Sequence, residues 1–465
     1  MPDVLWTAGE IAAATGGTAQ GAGFAATGVS IDTRTIEPGD LFVALAGARD
    51  GHEFLPIAFE RGAAGALVSQ PLERPSVRVP DTFAALEALG RAARDRAPQV
   101  RRGAVTGSVG KTSVTQAVAA GLRLAGRSHN SVKSYNNHIG VPLTLARMPR
   151  DTERAVFEIG MNHAGEVGPL SRMVQPHAAL ITVVGPVHVE NFPDGEAGVA
   201  RAKAEIFEGL VPGGTAILNA DDRWFELLAG EARARGAHIL TFGAADRCDA
   251  RLEGFALAGD GAVVGARLHG RELSFPIAQT GAHWGLNSLA ALLMIEALGA
   301  PLQAGLDALK EFAPLEGRGA VRTVEGEDGA FTLIDESYNA NPLSMRAALA
   351  SLAVRPTHGR RIAVLTDMLE LGPDAPVQHA ELARPVVEAH VDLAFCAGPL
   401  MRSLWDALPE GRRGGYAPTA AELAPLVRAA VRPGDLVMVK GSNGSKAALV
   451  VKALTDAAAP AGEGR

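Results

Sequence analysis

Apolar runs that end in polar or glycine-rich turns recur along the chain, with helical patterns between them. "GVSIDTRTIEPGDLFVALAG" predicts a strand, a turn at "EPGD" and a second strand. "HEFLPIAFERGAAGALVS" predicts a helix, a glycine stop and another strand. Together they make a small α/β unit over residues 1–80. "DTFAALEALGRAARDRA" then reads as a helix, and a short strand ends at "AVTG". A helix "SVTQAVAAGLRLAG" follows the next turn and closes at Gly126. "AVFEIG" and "AALITVVG" are apolar without alternation, as expected of parallel strands covered on both faces. "HWGLNSLAALLMIEALG" is a helix near the end of this second block, residues 81–315. From residue 316 to 465, "FTLIDESYNANP", "RIAVLTDMLELG", "DLAFCAG" and "DLVMVKGSNGSK" each predict a strand running into a polar loop. That pattern is a second open α/β sheet, with ligands expected at the carboxyl ends of its strands. The Ala- and Pro-rich tail "DAAAPAGEGR" is expected to fray. The fold class is therefore α/β in three domains: a small N-terminal unit, a central parallel sheet and a C-terminal Rossmann-like unit.

Composition narrows the partners. A length of 465 residues suits about three domains, and the formal net charge is −7. No cluster of Lys and Arg interleaves with aromatics, so nucleic acid is not an expected partner. Two distant cysteines, Cys248 and Cys396, carry no metal spacing and fit a reducing compartment. "MPDVLWTAGE" lacks a basic region before an apolar run, and no stretch reaches membrane-spanning length. The expectation is a soluble cytoplasmic protein without membrane insertion.

The chemistry starts at "TGSVGKTS": Thr106, Gly107, Ser108, Val109, Gly110, Lys111, Thr112 and Ser113. A strand before and a helix after it place backbone N–H groups at a helix N-terminus, a ready anion site. The usual nucleotide loop has a glycine six residues before its lysine, where this chain has Val105, so the loop is a short variant. Gly107 and Gly110 let the backbone approach phosphate, Lys111 would reach the β- and γ-phosphates, and the Thr112 hydroxyl would bind Mg²⁺. Glu158 ends "AVFEIG"; it is either a solvated strand-tip acid or a magnesium ligand, and an acid in so apolar a strand needs a partner. His188, after another apolar strand, is either a structural histidine or a site residue. Lys203 in "ARAKAEIFEGL" reads, on the residues alone, as a solvated helix lysine. "DESYNANP", with Asp335, Tyr338, Asn339 and Asn341, is a turn that could equally bind a polar substrate. Arg34 in "SIDTR" could grip a phosphate or carboxylate, although a surface salt bridge is the commoner use of such an arginine.

"TGSVGKTS", "SYNNHIGVPLTL", "EIGMNHAGE", "HVENF", "AKAEIF", "GAHWGLN", "LEGRGAV" and "DESYNANPLSM" occur in an order that resembles the Mur ligases, ATP-dependent amide-forming enzymes of peptidoglycan precursor synthesis. The resemblance runs from "SIDTR" to "VKGSNGSK" and implies a UDP-substrate domain, a central ATPase and a C-terminal domain. Within the family, "NNHIGVPLTL", "EIGMNHAGE" and "DESYNANP" are most similar to members that act on UDP-N-acetylmuramoyl-tripeptide and D-alanyl-D-alanine. It implies ATP and Mg²⁺ at Lys111 and Thr112, metal ligation by Glu158 and His188, and a carbamylated, anionic Lys203. Asn287, Arg318 and Asp335 are implied at the nucleotide, Tyr338, Asn339 and Asn341 at the dipeptide, and Ser30, Asp32 and Arg34 at the uridine nucleotide. Asn136 and Asn137 of "SYNNHIG" are further substrate candidates. A monomer is expected. Two positions depart from the family pattern: Val109 replaces a frequent polar residue, and Trp284 stands where "HN" is usual, while His283 and Asn287 remain. Runner-up readings are a sister Mur ligase that adds a single amino acid, a folylpolyglutamate synthase, and a nucleotide switch, which the absent N-K-x-D motif disfavours.

Overall fold

The computed structural model describes residues 3–47, 49–132, 135–326 and 329–456. Of the tail expected to fray, all but Asp456 lies outside the described residues; Asp456 ends the helix Ala448–Asp456. Among the described residues, three α/β units each carry a main sheet.

In the first, the strand order is Thr18–Gln20, Ser76–Arg78, Gly65–Val68, Asp40–Val43, Gly28–Ser30. All neighbours except the first pair are parallel. The core of this unit does not stop at residue 80. Leu86 and Leu89 of the helix Thr82–Asp95, and Leu143 and Ala146 of the helix Gly140–Ala146, are buried in one cluster with Leu41, Val43 and Leu67. Each such leucine contributes about 1.5–3 kcal/mol on burial. Trp6 adds a buried indole hydrogen bond to the Ala146 carbonyl at 2.8 Å. These two helices therefore weld the first unit to the second.

The central sheet has nine strands, of which Ser128–Asn130, Arg154–Glu158, Arg101–Thr106, Ala178–Ile181, Thr215–Asn219 and His238–Gly243 are mutually parallel. Their apolar runs are covered on both faces, as a parallel sheet requires. The register puts Glu158 beside Val105 and Ile181 beside Thr106. The carboxyl end of the sheet therefore gathers the glycine loop, Glu158 and the segment that leads to His188. The sheet is not wholly parallel. Ala250–Ala258, Gly261–Leu268 and Arg271–Ile277 form an antiparallel edge. Its strands carry no long continuous apolar runs, because half-covered strands alternate instead. Gly261–Leu268 shows that alternation of partly and fully buried positions along its length.

The third sheet has the order Ala320–Gly326, Gly329–Glu336, Leu436–Lys440, Arg361–Thr366, Leu393–Ala397, Arg413–Ala417, parallel except for its first pair. Leu436–Lys440 lies between strands that precede it in the chain. The loops after Glu336, Thr366 and Lys440 thus emerge side by side at the carboxyl edge, where open α/β sheets take ligands.

Candidate active site between the second and third units

The helix Lys111–Ala125 begins at Gly110, which has φ 86° as its N-cap. Gly107 has φ 145°, and a Cβ there would sit 1.9 Å from Thr182 Oγ1. Both positions require glycine, by backbone conformation and, at Gly107, by close approach. Gly107→Ala is expected to cost about 1–3 kcal/mol of stability through strain and overpacking, read as a lowered Tm; an unchanged Tm would contradict the cradle geometry. Ser108 ties the loop to the neighbouring strand end: its N–H donates to the Val183 carbonyl at 2.7 Å, and its hydroxyl exchanges hydrogen bonds with Gly185. Lys111 Nζ donates to the Gly107 carbonyl at 2.7 Å, folding back over the loop.

Facing this loop is a cavity of about 570 Å³. Its walls come from the second unit (Ser108 to Ser113, Asn136, Glu158, His188, His283, Asn287) and from the third (Arg318, Glu336, Tyr338, Asn339, Asn341, Lys440). The two units touch around it. Leu343 packs so close to Gly185 that a Cβ there would lie 2.1 Å from Leu343 Cδ1. Arg355 reaches Thr280, and Glu370 meets His188.

Glu158 is 1 % exposed, so the solvated strand-tip reading fails. One carboxylate oxygen accepts from Asn136 Nδ2 at 2.6 Å, and the other, Oε2, is buried with no hydrogen-bond partner. A buried carboxylate oxygen left open is costly unless a cation completes it. Asn136, a substrate candidate, thus holds Glu158 in place. Lys203 is 2 % exposed at the end of the helix Glu196–Ala204, so the solvated-lysine reading fails as well. Burial and, secondarily, the nearby charge of Lys111 push its pKa well below the usual lysine value. Lys111 is also pushed down, first by burial; Glu158 opposes that shift and Arg318 adds to it. His188 has φ 57° and is lowered chiefly by burial, with Glu370 acting in the opposite direction and Lys111 and Lys203 reinforcing it. Its Nδ1 meets the Glu370 carboxylate at ion-pair range, off the line of a well-aligned hydrogen bond.

Among the described residues, no three His, Cys, Asp or Glu side chains converge as a cage for a metal. Mg²⁺ needs only one or two protein ligands, its shell being completed by water and phosphate oxygens. The unpartnered Glu158 oxygen is the observation that makes the residues fit the ion.

From the third unit, Arg318 lies over the Tyr338 ring at 4.1 Å. Asp335 does not line the cavity. Buried, it accepts from Ser337 N–H at 3.1 Å and Ser337 Oγ at 2.6 Å, and it pairs with Arg322 at 3.3 Å. It shapes the loop that presents Tyr338 and Asn339. Asn341 lines the cavity, but its side chain caps the helix Pro342–Val354 in a reciprocal pair with Ser344. The Asn137 side chain is likewise engaged with backbone, accepting from the N–H groups of Ile139 and Gly140. Thr106 and Gly107 stand behind the cavity, and Asn287 lies close enough to Gly110 that a Cβ there would sit 3.5 Å from Asn287 Oδ1.

Lys440 and Glu336, both in the cavity wall, were not singled out from the sequence. Lys440, 2 % exposed, pairs with Glu336 at 3.3 Å and donates to the Asn339 carbonyl at 3.0 Å. No local pattern joins residues so far apart in the chain. His283 is also drawn into this group: burial lowers its pKa, Glu336 opposes the shift and Lys440 reinforces it.

Ser30, Asp32 and Arg34 lie elsewhere, on the first unit. Asp32 takes both Nε and Nη2 of Arg34, the latter at 2.6 Å, and Ser30 Oγ donates to the Asp32 carbonyl at 3.1 Å. The adjoining cavity of about 370 Å³ is lined by Gly28, Thr35, Glu37, Asp40, Tyr135 and Arg147 among others. Arg147 anchors to the Val29 carbonyl at 2.6 Å. Arg147 and Tyr135 belong to the second unit in sequence and were not singled out from it.

A phosphate loop roofed by a second α/β unit defines a nucleotide-dependent enzyme whose site is completed across an interdomain cleft. Comparison with known proteins gives it a family. Residues 105–295 match the Mur ligase middle domain, and residues 320–443 match the Mur ligase glutamate ligase domain. The UDP-N-acetylmuramoyl-tripeptide–D-alanyl-D-alanine ligase of Escherichia coli (strain K12) is 34% identical, over 95% of this chain and 96% of that protein. The enzyme of the same name from Bacillus subtilis (strain 168) is 33% identical, over 92% and 93%. The crystal structure of MurF from Acinetobacter baumannii superposes with a TM-score of 0.85 at 27% identity, covering 98% of this chain and 100% of that one. The chain belongs to the Mur ligase family, and it is an enzyme of the ligase class.

Proposed function

We propose that this chain joins D-alanyl-D-alanine to the C-terminal carboxylate of UDP-N-acetylmuramoyl-tripeptide at the expense of ATP, by way of an acyl phosphate. The observation that carries the reading is the cleft itself, where the glycine loop and the unsatisfied Glu158 face Arg318, Tyr338 and Asn339 across one cavity. The two curated ligases above, alike over more than nine-tenths of the chain, support the choice of substrates.

A carboxylate is a poor electrophile. Its attack on the γ-phosphorus expels ADP and gives an acyl phosphate, whose phosphate is a good leaving group. The dipeptide amine then attacks the acyl carbon, the tetrahedral intermediate collapses, phosphate departs with one former carboxylate oxygen, and the amine loses a proton. In this reading the backbone of Thr106 to Ser113 cradles the phosphates, and Lys111 neutralises charge on the transferring group. Asn287 and Arg318 hold the nucleotide, with Asp335 bracing the turn that carries Arg318 by accepting from Gly317 N–H at 3.3 Å and Gly319 N–H at 2.8 Å. Thr112, Glu158, His188 and a carbamylated Lys203 would hold Mg²⁺, which when bound supplies charge neutralisation at the phosphoryl oxygens. Tyr338 and Asn339 face the dipeptide, and Ser30, Asp32 and Arg34 take the uridine nucleotide. Roofing by the third unit excludes water that would hydrolyse the acyl phosphate. We take residues 1–80, 81–315 and 316–465 as the uridine-substrate, ATP and closing domains, acting in a monomer. No described helix is long and apolar enough to cross a membrane. We infer a cytoplasmic reaction, because that is where ATP is supplied.

A panel assay tests the substrate pair. Product mass is expected to rise by one dipeptide with D-alanyl-D-alanine, and not by one residue with single amino acids; the reverse would move the chain to a sister ligase. Arg34→Ala is expected to weaken binding of the UDP-substrate by about tenfold in calorimetry, the scale of a lost charge-assisted hydrogen bond. Unchanged affinity would remove Arg34 from the site and leave its pairing with Asp32 as a surface salt bridge.

A further inference from the structure

The loop after the strand Arg361–Thr366, in the third unit, is held unusually firmly. The Asp367 carboxylate accepts from Met401 N–H at 2.8 Å, and the Asp367 carbonyl accepts from Ser442 N–H at 3.1 Å. Met368 N–H donates to His379 Nε2 at 3.0 Å, and Leu369 N–H donates to Ser442 Oγ at 3.0 Å. His379 is fully buried, and its Nδ1 contacts the Ala375 carbonyl at 2.6 Å. Three consecutive residues are thus pinned before the chain reaches Glu370. Glu370 then adopts φ 63°, a left-handed conformation uncommon outside glycine. Two residues on, Gly372 has φ 69° and comes so near the second unit that a Cβ there would lie 3.5 Å from Glu190 Cβ. The outcome is a carboxylate delivered across the domain boundary onto His188 Nδ1.

Stability does not account for this arrangement. Side-chain exposure is 50 % for Glu370 and 21 % for His188, and an ion pair that open adds little to folding. Strained backbone persists where its surroundings over-determine it, commonly at functional sites. With Nδ1 against a carboxylate, Nε2 is the imidazole nitrogen left for the cavity that His188 lines together with Glu158. Metal-binding histidines characteristically give their other ring nitrogen to a carboxylate, which fixes the tautomer and raises ligand basicity.

We propose that Glu370 is a positioning residue of the third unit, orienting His188 as a ligand so that the magnesium site of the second unit is complete only when the third has closed over it. The inference rests on the reading of His188 as a metal ligand, and it adds a residue, a direction of action and a coupling. Glu370 touches neither substrate nor ion. It acts through His188, and closure and divalent-ion affinity become one equilibrium.

The test measures Mn²⁺ affinity of the full-length enzyme with a non-hydrolysable ATP analogue, by electron paramagnetic resonance, in wild type, Glu370→Gln, His188→Ala and the double variant. Glu370→Gln is expected to weaken Mn²⁺ binding by about tenfold, the lower end for loss of such a supporting carboxylate. His188→Ala is expected to weaken it at least as much, and the double variant no more than His188→Ala alone. Glu370→Asp, which keeps the carboxylate, should recover part of the loss, and the UDP-substrate should bind all five proteins alike. Wild-type Mn²⁺ affinity in Glu370→Gln, or losses that add in the double variant, would overturn the role of Glu370 while leaving His188 a ligand. Unchanged affinity in His188→Ala would overturn the ligand reading, and this inference with it.

Discussion

Lys111→Ala is expected to lower kcat by at least about 100-fold, the scale for removing one preorganised charge partner of a transition state, while the UDP-substrate binds as before. The side chain lies over its own loop, bonded to the Gly107 carbonyl, and is partly buried in the cavity wall. In a cleft closed over nucleotide its charge acts on phosphoryl oxygens with far more effect than in water. The Asp32–Arg34 pair on the first unit, with the cavity that adjoins it, is a separate place. Calorimetry with the UDP-substrate and a turnover assay separate the two effects. Normal turnover in the variant would sink the phosphate-loop reading; lost UDP-substrate affinity would merge the two sites.

The second large effect is expected at Lys203. Lys203→Ala should lose nearly all ligase activity with its unfolding midpoint maintained, and millimolar acetate or formate should restore part of it. A buried ammonium beside Lys111 and a divalent cation would repel both, whereas a carbamate attracts them. Carbamylation joins the neutral amine nitrogen to the carbon of carbon dioxide and releases one proton. Burial, reinforced by Lys111, lowers the pKa of this amine, so more of it is neutral at a given pH. The sign follows. Falling pH reprotonates the amine and works against the carbamate, so enzyme stripped of carbon dioxide at mildly acid pH should slow and should recover on adding bicarbonate. An alanine variant of normal activity, or recovery that ignores bicarbonate, would contradict an anionic Lys203.

What could be read from the sequence was what is local. The glycine loop was legible because Gly107 and Gly110 stand between an apolar strand and a helical pattern, and both positions need glycine's conformations. The apolar parallel strands were legible because they are buried on both faces. Lys203 was not. It sits in an Ala-rich helix whose small residues say little about which face is covered, and burial of a lysine is decided by elements far away in the chain. Lys440 with Glu336, and Glu370 with His188, were hidden for the same reason: each pair exists only once separate strand ends are brought together. Other candidate residues also carry local structural roles. Asn341, Pro342 and Ser344 are a helix-capping sequence, and "DESYNANP" is partly that. Asp335, expected at the nucleotide, spends its oxygens on Ser337 and Arg322. The alternation in Gly261–Leu268 announced an antiparallel edge that a search for continuous apolar runs passes over.

In the proposed reaction ATP activates the acceptor carboxylate before the dipeptide amine attacks. Heavy-oxygen labelling of the UDP-substrate's terminal carboxylate tests that directly, with released phosphate analysed by mass spectrometry. One label per turnover is expected in the phosphate, with release dependent on both the UDP-substrate and D-alanyl-D-alanine. Unlabelled phosphate, released from ATP at the same rate without either substrate, would contradict the acyl phosphate and leave a nucleotide hydrolase or switch in its place.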